Sequence, residues 1–218
     1  MGRGSKQADF ATGSGAASPF DPPRQMNAAA TSLIGMLQQI QRRRNERQRM
    51  AEIGVWQGVS TRWLLTCMPF LHMTLVDPFA TGGSELNPSW TDSFAGCSQE
   101  QIDKQYDIVK GIAALFEPRA TIHRMTSVQA APLVPDGSLD LVFIDGDHSY
   151  DGVRKDIAAW KSKVRPGGFL SGHDYKPSGV GHYGQNVGRA VDEFRDATGW
   201  KLEVRLGKVW AFLVPNPS

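Results

Sequence analysis

Apolar residues follow two different spacings along the chain, and the two alternate from the first half of the sequence to the last. Short segments such as residues 138–145 are nearly all apolar, as expected of a buried strand in a parallel sheet. Between such segments, apolar side chains recur every three or four positions, which places them on one face of a helix. The alternation predicts strands separated by helices, the pattern of an α/β sheet.

Seven strands and five helices are predicted. The strands lie at residues 50–55, 71–76, 121–125, 138–145, 169–172, 201–206 and 209–214. The helices lie at residues 27–49, 60–68, 100–116, 150–164 and 186–198. Because only Gly207-Lys208 separates the last two strands, we expect these two to be antiparallel. The predicted fold class is α/β, a doubly wound seven-stranded sheet with an antiparallel C-terminal hairpin.

The pattern also divides the chain. Residues 1–26 are rich in Gly, Ala, Ser and Pro and bury little, so we expect a disordered leader. Residues 27–218 form one predicted domain, with an N-terminal helix at 27–49 and the catalytic core at 50–218. The apolar stripe of that helix is Leu33, Ile34, Leu37 and Ile40. A homodimer formed through this helix is one expectation.

Composition narrows the function classes. Of the 218 residues, 40% are hydrophobic, which is enough for a sizeable core. The net charge is +2, yet residues 1–49 hold 8 basic and 3 acidic side chains, leaving 16 basic against 19 acidic elsewhere. The predicted core is therefore not basic, which argues against a nucleic-acid partner. The basic run at 42–49 is interpreted as a solvated face, with an anionic partner as the alternative.

The two cysteines, Cys67 and Cys97, form neither a disulfide framework nor a C-x-x-C site. A reducing, cytoplasmic location is the expectation that follows. The apolar runs are too short to cross a bilayer, so no membrane span is predicted.

The segment at residues 51–61 predicts a strand, a glycine turn and a helix start. Gly54 and Gly58 stand four apart, in a G-x-x-x-G spacing that fits neither the dinucleotide fingerprint nor the P-loop. Glycines still allow backbone to approach a ligand closely, and the helix start presents N–H groups to it. The turn therefore predicts a binding site of another kind.

Polar residues follow each of the first five predicted strands. They are Glu52 to Ser60, Asp77, Ser127, Asp145 to His148, and His173-Asp174. Ligands of doubly wound sheets bind at the carboxyl ends of the strands. We therefore expect these side chains to meet on one rim of the sheet.

Three features together resemble a class I S-adenosylmethionine (SAM)-dependent methyltransferase, a Rossmann-like fold, over residues 50–214. The first is the glycine turn at 52–60, and the second is Val76-Asp77 at the end of the second strand. The third is the segment D-G-D-H-S-Y at 145–150, followed by P-G-G at 166–168 and G-H-D-Y at 172–175. This third feature is similar to the small-molecule O-methyltransferase branch that includes catechol and macrolide sugar O-methyltransferases.

The resemblance implies SAM contacts for Glu52, Gly54, Gly58, Ser60, Asp77, Ser127 and Asp145. Asp77 would accept the ribose hydroxyls, and the two glycines would lie against the methionine half of the cofactor. Glu52 and Ser60 would flank its ammonium and carboxylate. Simpler alternatives are a turn-capping Asp77 before Pro78, a strand-end Glu52, and a Ser127 that caps the next helix.

The resemblance also implies a metal site at Asp145, His173 and Asp174, for Mg²⁺ or Mn²⁺. Metal-dependent members carry an acidic residue where this chain has His173, so either a softer cation or no cation at all is the alternative. His148 occupies the position of a catalytic Lys, and its imidazole could deprotonate a substrate hydroxyl. Its alternative is a backbone-bonded histidine at a helix start.

The function that follows is methyl transfer from SAM to an oxygen of a small molecule, with Asp145 and His148 as the catalytic residues. The loop at residues 80–99 would help to close the site. A metal-independent SAM methyltransferase acting on another acceptor is the alternative with the same fold. A metal-dependent hydrolase or hydroxylase-like enzyme that uses the Asp/His cluster without SAM is the alternative from another class.

Overall fold

A computed structural model describes residues 27–44, 46–80, 97–177 and 184–216 of the chain. Its strands are β1 (Gln48–Ile53), β2 (Leu71–Val76), β3 (Ala120–His123), β4 (Leu139–Ile144), β5 (Val164–Gly172), β6 (Leu202–Arg205) and β7 (Val209–Leu213). Its α-helices are α1 (Ala28–Arg43), α2 (Val59–Cys67), α3 (Gln99–Leu115), α4 (Ser127–Ala130), α5 (Tyr150–Trp160) and α6 (Gly184–Thr198). None of the described helices is long and apolar enough to span a membrane.

The strands form one sheet in the order β3-β2-β1-β4-β5-β7-β6. The first five strands are parallel to one another, whereas β7 runs antiparallel to both β5 and β6. The predicted fold class, with its antiparallel C-terminal hairpin, is therefore confirmed. Because the strand order reverses between β1 and β4, the carboxyl ends of these two central strands flank the switch point.

Successive side chains of each strand point to opposite faces of the sheet, and each face carries its own core. One core packs α1, α2 and α3 on side chains such as Met50, Met73 and Phe143. The other packs α5 and α6 on side chains such as Val142 and Trp210. Strands covered on both faces are largely apolar, and β4, which is buried along its whole length, has Asp140 as its one polar side chain.

Two predicted helix ends differ from the structure by four residues or more. The first helix ends at Arg43, not Arg49, because Gln48 already belongs to β1. The buried side-chain amide of Gln48 donates to the Leu37 carbonyl, 2.5 Å away. The helix predicted to reach Val164 ends at Trp160, and a 3-10 turn follows it. Val164 begins β5 and pairs with Leu139. The apolar spacing suggested that Val164 belongs to the helix, but it pairs in the sheet instead.

Helix α1 packs on its own chain. Leu33, Leu37 and Ile40 of the predicted stripe are buried in the core that α1 shares with α2 and α3. The Ser32 hydroxyl donates to the Leu206 carbonyl, 2.7 Å away, which ties α1 to the hairpin of β6 and β7. The apolar face of α1 that was expected to contact a second copy is thus largely buried against the same chain. The homodimer stays a prediction.

The end of β1 lies unusually close to the end of β4. Gly54 has φ +86°, and a Cβ added there would overlap the Asp145 carbonyl group. The Asp145 amide donates to the Ile53 carbonyl at 2.7 Å, so the sheet pairing continues up to this contact. Only glycine meets both demands, a positive φ and the absence of a side chain.

Glu52 is a buried acid on β1, with 2% of its surface exposed. The Thr61 hydroxyl of α2 donates to its carboxylate at 2.5 Å and thereby joins the helix to the strand. Burial is the main cause that raises the pKa of Glu52 to about 8, and the charges of Asp145 and Asp77 add to the effect. The side chain is therefore largely protonated at neutral pH.

We predict that Gly54→Ala lowers the free energy of unfolding by about 2 kcal/mol or more, because the new methyl group must displace backbone and strain φ. Gly35→Ala is the matched control. Gly35 lies within α1, and a Cβ added there would have nothing within 4 Å, so alanine should stabilise the protein by about 0.5–1 kcal/mol. Urea unfolding measures both. Similar effects of the two substitutions would contradict the close contact.

A second prediction concerns pH. The folded-state pKa of Glu52 is raised from 4.5 to about 8, so its contribution to stability is full below 4.5 and is lost as the pH rises through 8. Glu52→Gln removes the ionisation. The free energy of unfolding of Glu52→Gln should therefore increase relative to that of the wild type as the pH rises from about 5 to about 9.

Urea unfolding across this range tests the prediction. Glu100→Gln is the control, because Glu100 is exposed and its ion pair with Lys104 lowers the pKa of the carboxyl. That variant should show no gain at high pH. Parallel pH profiles for the wild type and Glu52→Gln would show that Glu52 is not a buried neutral acid.

Candidate active site

The strand ends bring most of the predicted site residues to one edge of the sheet. β1 pairs with both β2 and β4, and β4 pairs with β5, all in parallel. Glu52, Asp77, Asp145 and Asp174 therefore stand at the same carboxyl edge. Of the loop at residues 80–99 that was predicted to help close the site, residues 81–96 lie outside the described residues.

The glycine turn after β1 has the backbone of a ligand-binding turn. Gly54, Trp56 and Gly58 have φ of +86°, +48° and +66°. Gly58 is the N-cap residue of α2. Because glycine has no side chain, it provides no side-chain acceptor for the first N–H groups of the helix. Ser60 lies in that first turn and is half-buried. The turn and the helix start are where the sequence predicted them.

Asp77 holds this turn in place. Its Oδ2 atom accepts from the amides of Val55 and Trp56, at 2.9 and 3.0 Å, and its Oδ1 atom accepts from the Phe79 amide at 2.8 Å. Burial raises the pKa of Asp77, while these three backbone donors oppose the rise. Asp77 thus caps the turn at Phe79, as the simpler alternative has it. It also accepts hydrogen bonds from the glycine turn, which the sequence did not predict. Ribose binding by Asp77 stays a prediction.

Ser127 has partners inside the protein. Thr126, not Ser127, caps α4, so the capping alternative for Ser127 is wrong. The Ser127 hydroxyl accepts from the Trp160 indole N–H at 2.8 Å and donates to the Asp156 carboxylate. Burial, the largest cause, raises the pKa of Asp156 to about 7. This network fixes α4 against α5, and the adenine contact of Ser127 stays a prediction.

Two imidazoles and two carboxylates meet beyond β4 and β5. His148 Nε2 lies 3.4 Å from Asp145 Oδ1 and 3.3 Å from Asp174 Oδ2. His173 Nδ1 lies 3.5 and 3.4 Å from the same two oxygen atoms. We call these four residues the Asp/His quartet. Three of them are the predicted metal ligands, and the fourth is the predicted base.

The quartet is electrostatically coupled. Burial alone would lower the pKa of His173, but the hydrogen bonds and charges of Asp145 and Asp174 outweigh it and raise the pKa to about 10. Hydrogen bonds from His148 and His173 hold the pKa of Asp174 well below its usual range. The protonated His173 imidazole therefore offsets part of the negative charge of this cluster.

The quartet can also be tested as a metal site. Ligand atoms of Asp145, His148 and Asp174 all lie within 4.8 Å of one another. This group shares two members with the predicted set and contains His148 where the prediction has His173. Carboxylate oxygen and imidazole nitrogen are both metal ligands, so the donor types fit a divalent cation.

The backbone around the quartet is fixed. The His173 amide donates to the Ile144 carbonyl at 3.0 Å, which extends the pairing of β4 with β5 to the site. Asp174 has φ +53°, a conformation that Asp tolerates better than most side chains. A small recess beneath the quartet is lined by Val153, Val187 and Trp210. It joins the site to the core on the α5 and α6 face.

One residue near the site was missed by the sequence analysis. Lys208 Nζ lies 3.8 Å from Asp174 Oδ1. The Lys208 carbonyl accepts from the Tyr175 amide at 3.0 Å, which holds the hairpin turn against the segment after β5. The sequence identified Gly207-Lys208 as a turn, but nothing in its spacing shows that β7 pairs with β5.

Comparisons with known proteins agree with this geometry. A family model described as a methyltransferase domain matches residues 51–175, from β1 through the quartet. No curated protein sequence matches the chain. Among solved structures, the O-methyltransferase NovP is similar with 15% identity and a TM-score of 0.61, over 87% of this chain and 80% of that one.

Two further structures are similar. A candidate caffeoyl-CoA O-methyltransferase from Staphylococcus aureus has 14% identity and a TM-score of 0.61, over 89% of this chain and 86% of its own. The cofactor-bound protein Rv0187 from MTB has 18% identity and a TM-score of 0.57, over 90% and 85%. At these identities the likeness concerns the fold. The family model covers more than half of the chain, including its glycine turn and its quartet, and the chain belongs to the methyltransferase-domain family.

Proposed function

We propose that the protein transfers a methyl group from SAM to an oxygen of a small molecule, assisted by a divalent cation. The observation that carries the proposal is the close contact between Gly54 and Asp145. It joins a glycine turn suited to SAM directly to a cluster suited to activating a hydroxyl. Family membership supports methyl transfer, and the O-methyltransferases among the similar structures favour an oxygen acceptor.

On the cofactor side, the proposed contacts are those of Glu52, Gly54, Gly58, Ser60, Asp77, Ser127 and Asp145. The bare backbone of the turn leaves room for the methionine half of SAM. The helix start offers N–H groups to its carboxylate. Asp77 Oδ1 accepts from the Phe79 amide with one lone pair, and its second lone pair can accept from a ribose hydroxyl.

On the acceptor side, Asp145, His173 and Asp174 would hold the cation, Mg²⁺ or Mn²⁺ by the sequence-based expectation. A bound cation lowers the pKa of a hydroxyl and favours its oxyanion, which is the attacking species in methyl transfer. The chain's own task is to hold that oxygen in line with the methyl group. The His148 imidazole has two uses there, as the base that removes the proton or as a further ligand.

The two alternative functions would use the same site differently. A metal-independent methyltransferase would use the quartet as a hydrogen-bonding cluster, with its imidazoles balancing its carboxylates. A hydrolase that does not bind SAM is disfavoured by family membership. Both differ from the proposal in measurable ways, the first in its need for a cation and the second in its need for SAM.

We predict that S-adenosylhomocysteine raises the melting temperature, since it binds only the folded state. A ligand at 100 times its Kd stabilises by about 2.7 kcal/mol, which corresponds to a shift on the order of 5 °C or more in a chain of this size. Asp77→Asn should reduce the affinity measured by calorimetry. Asp136→Asn is the control, because Asp136 is exposed and pairs with Lys163. No shift at millimolar ligand would refute SAM dependence.

For the acceptor side, Asp174→Asn should lower the methyl-transfer rate on the order of 100-fold or more, the scale of losing one electrostatic group. Binding of S-adenosylhomocysteine should be unchanged. Asn tolerates the positive φ of this position, so the fold should be kept. Release of S-adenosylhomocysteine with a panel of phenolic and sugar hydroxyl acceptors measures the rate.

The matched control is Asp151→Asn, at an exposed position in the first turn of α5. It should leave the rate unchanged. EDTA should abolish the wild-type rate, and added Mg²⁺ or Mn²⁺ should restore it. If neither EDTA nor Asp174→Asn changes the rate while SAM still binds, the metal role is wrong and the metal-independent alternative holds.

A further inference from the structure

We infer that Arg124 is a positioning residue for the cofactor: its guanidinium holds Phe79, and Phe79 in turn fixes the oxygen atom of Asp77 that faces the ribose. The inference rests on the proposed function, since it takes SAM to lie at Asp77. Arg124 directly follows β3, and Asp77 directly follows β2, the strand that pairs with β3. The two side chains therefore belong to the same edge of the sheet.

Phe79 is held at three points. Its amide donates to Asp77 Oδ1 at 2.8 Å. Its carbonyl accepts from Arg124 Nη2 and from Gln99 Nε2, each at 3.0 Å. Its ring is fully buried and packs on Tyr106, with 5.2 Å between the ring centroids. The segment that follows Asp77 is thus tied both to the end of β3 and to α3.

The backbone of Phe79 depends on these contacts. Its φ is +44°, a region that bulky side chains rarely adopt. Such a conformation costs free energy and persists only where surrounding contacts enforce it. The contact with Arg124 is the strongest of the hydrogen bonds to the carbonyl, because a charged guanidinium is a better donor than a neutral amide. If φ relaxes, the Phe79 amide rotates relative to its buried ring and no longer points at Asp77.

Arg124 is itself held in place by α3. Its guanidinium lies over the Tyr106 ring, 4.8 Å from the centroid, and pairs with the Asp103 carboxylate. The Gln99 side chain also donates to Asp103, at 2.9 Å. Gln99, Asp103 and Tyr106 lie on one face of α3, because they follow one another at helical spacing. We call Arg124 and these three residues the Arg124 clamp.

The Arg124 clamp determines the direction of one Asp77 oxygen. Oδ2 accepts from the Val55 and Trp56 amides of the glycine turn. Oδ1 accepts from the Phe79 amide with one lone pair, and its second lone pair can accept from a ribose hydroxyl. Asp77 has only 4% of its surface exposed, so protein contacts and not solvent set the direction of Oδ1. A displaced Phe79 amide would let Oδ1 turn, and the ribose would lose its acceptor.

Arg119 provides a matched control at the other end of the same strand. It directly precedes β3, stacks on Phe116 at 5.4 Å, and donates to the Leu65 and Met68 carbonyls at 3.0 and 3.1 Å. Both arginines therefore stack on an aromatic ring and donate to backbone carbonyls, but Arg119 lies at the opposite edge of the sheet. Loss of either guanidinium should destabilise the fold, whereas only loss of Arg124 should weaken cofactor binding.

The experiment measures the affinity of S-adenosylhomocysteine by calorimetry and the steady-state constants with SAM. Arg124→Met should weaken binding on the order of 10-fold and raise KM for SAM by a similar factor. The value of kcat should change little, because the acceptor side of the site is untouched. Arg124→Lys keeps a charged donor and should recover part of the affinity. Arg119→Met should bind S-adenosylhomocysteine as tightly as the wild type.

A double-mutant cycle tests whether Arg124 acts through Asp77. Asp77→Asn removes the charged acceptor that Phe79 orients. Adding Arg124→Met to Asp77→Asn should therefore weaken binding by less than about 2-fold further. A full loss on the order of 10-fold in both backgrounds would show that Arg124 acts independently of Asp77 and would overturn the inference.

Far-ultraviolet circular dichroism and urea unfolding on every variant separate a folding defect from a binding defect. If Arg124→Met does not fold, Arg124→Lys compared with Arg119→Lys carries the same test, with weaker binding expected only in the first. Equal losses of affinity at positions 119 and 124 would mean a merely structural role. A wild type that does not bind S-adenosylhomocysteine refutes the proposed function and this inference with it. A wild type that binds, beside an Arg124→Met variant that binds equally tightly, overturns the inference alone.

Discussion

The contact between the ends of β1 and β4 is the constraint on which the rest of the site depends. The Gly54 amide donates to the Val76 carbonyl at 2.8 Å, and the Asp145 amide donates to the Ile53 carbonyl at 2.7 Å. Three strands thus meet within two residues of the switch point. Because Gly54 has no side chain, the glycine turn and the first residue of the quartet can touch through backbone alone.

The two halves of the site are built differently. On the β1 and β2 side, carboxyl groups are buried: Glu52 bonds to Thr61, and Asp77 accepts three backbone amides. These acids fix the backbone to which a cofactor would bind. On the β4 and β5 side, the quartet is partly exposed and its members contact mainly each other. A buried half and a partly exposed half suit a constant cofactor and a variable acceptor.

Much of this arrangement could be predicted from the sequence. Apolar runs that end in polar residues placed the strand ends on one rim, because parallel strands put their carboxyl ends together. The alternation of elements predicted the sheet, and the short Gly207-Lys208 turn predicted its antiparallel hairpin. These inferences depend on local periodicity and on general topology, which one sequence contains.

What the sequence could not show are contacts between distant segments. The bond from Trp160 to Ser127 and the approach of Lys208 to Asp174 depend on how elements pack, not on spacing. The end of α1 was misplaced for the same reason. The sequence from Arg44 to Arg49 contains no strong helix breaker, and the helix ends early because Gln48 pairs with Leu71 in the sheet.

The bond between Ser32 of α1 and Leu206 of the hairpin has a consequence for synthesis. The two residues are separated by 174 positions. At ribosomal rates of about 5–20 residues per second, α1 leaves the ribosome roughly 10–35 s before its hairpin partner exists. During that time its apolar stripe cannot be fully covered by native contacts. The newly made chain should therefore be most dependent on chaperones before β6 and β7 emerge, and the domain can close only after this hairpin has been synthesised.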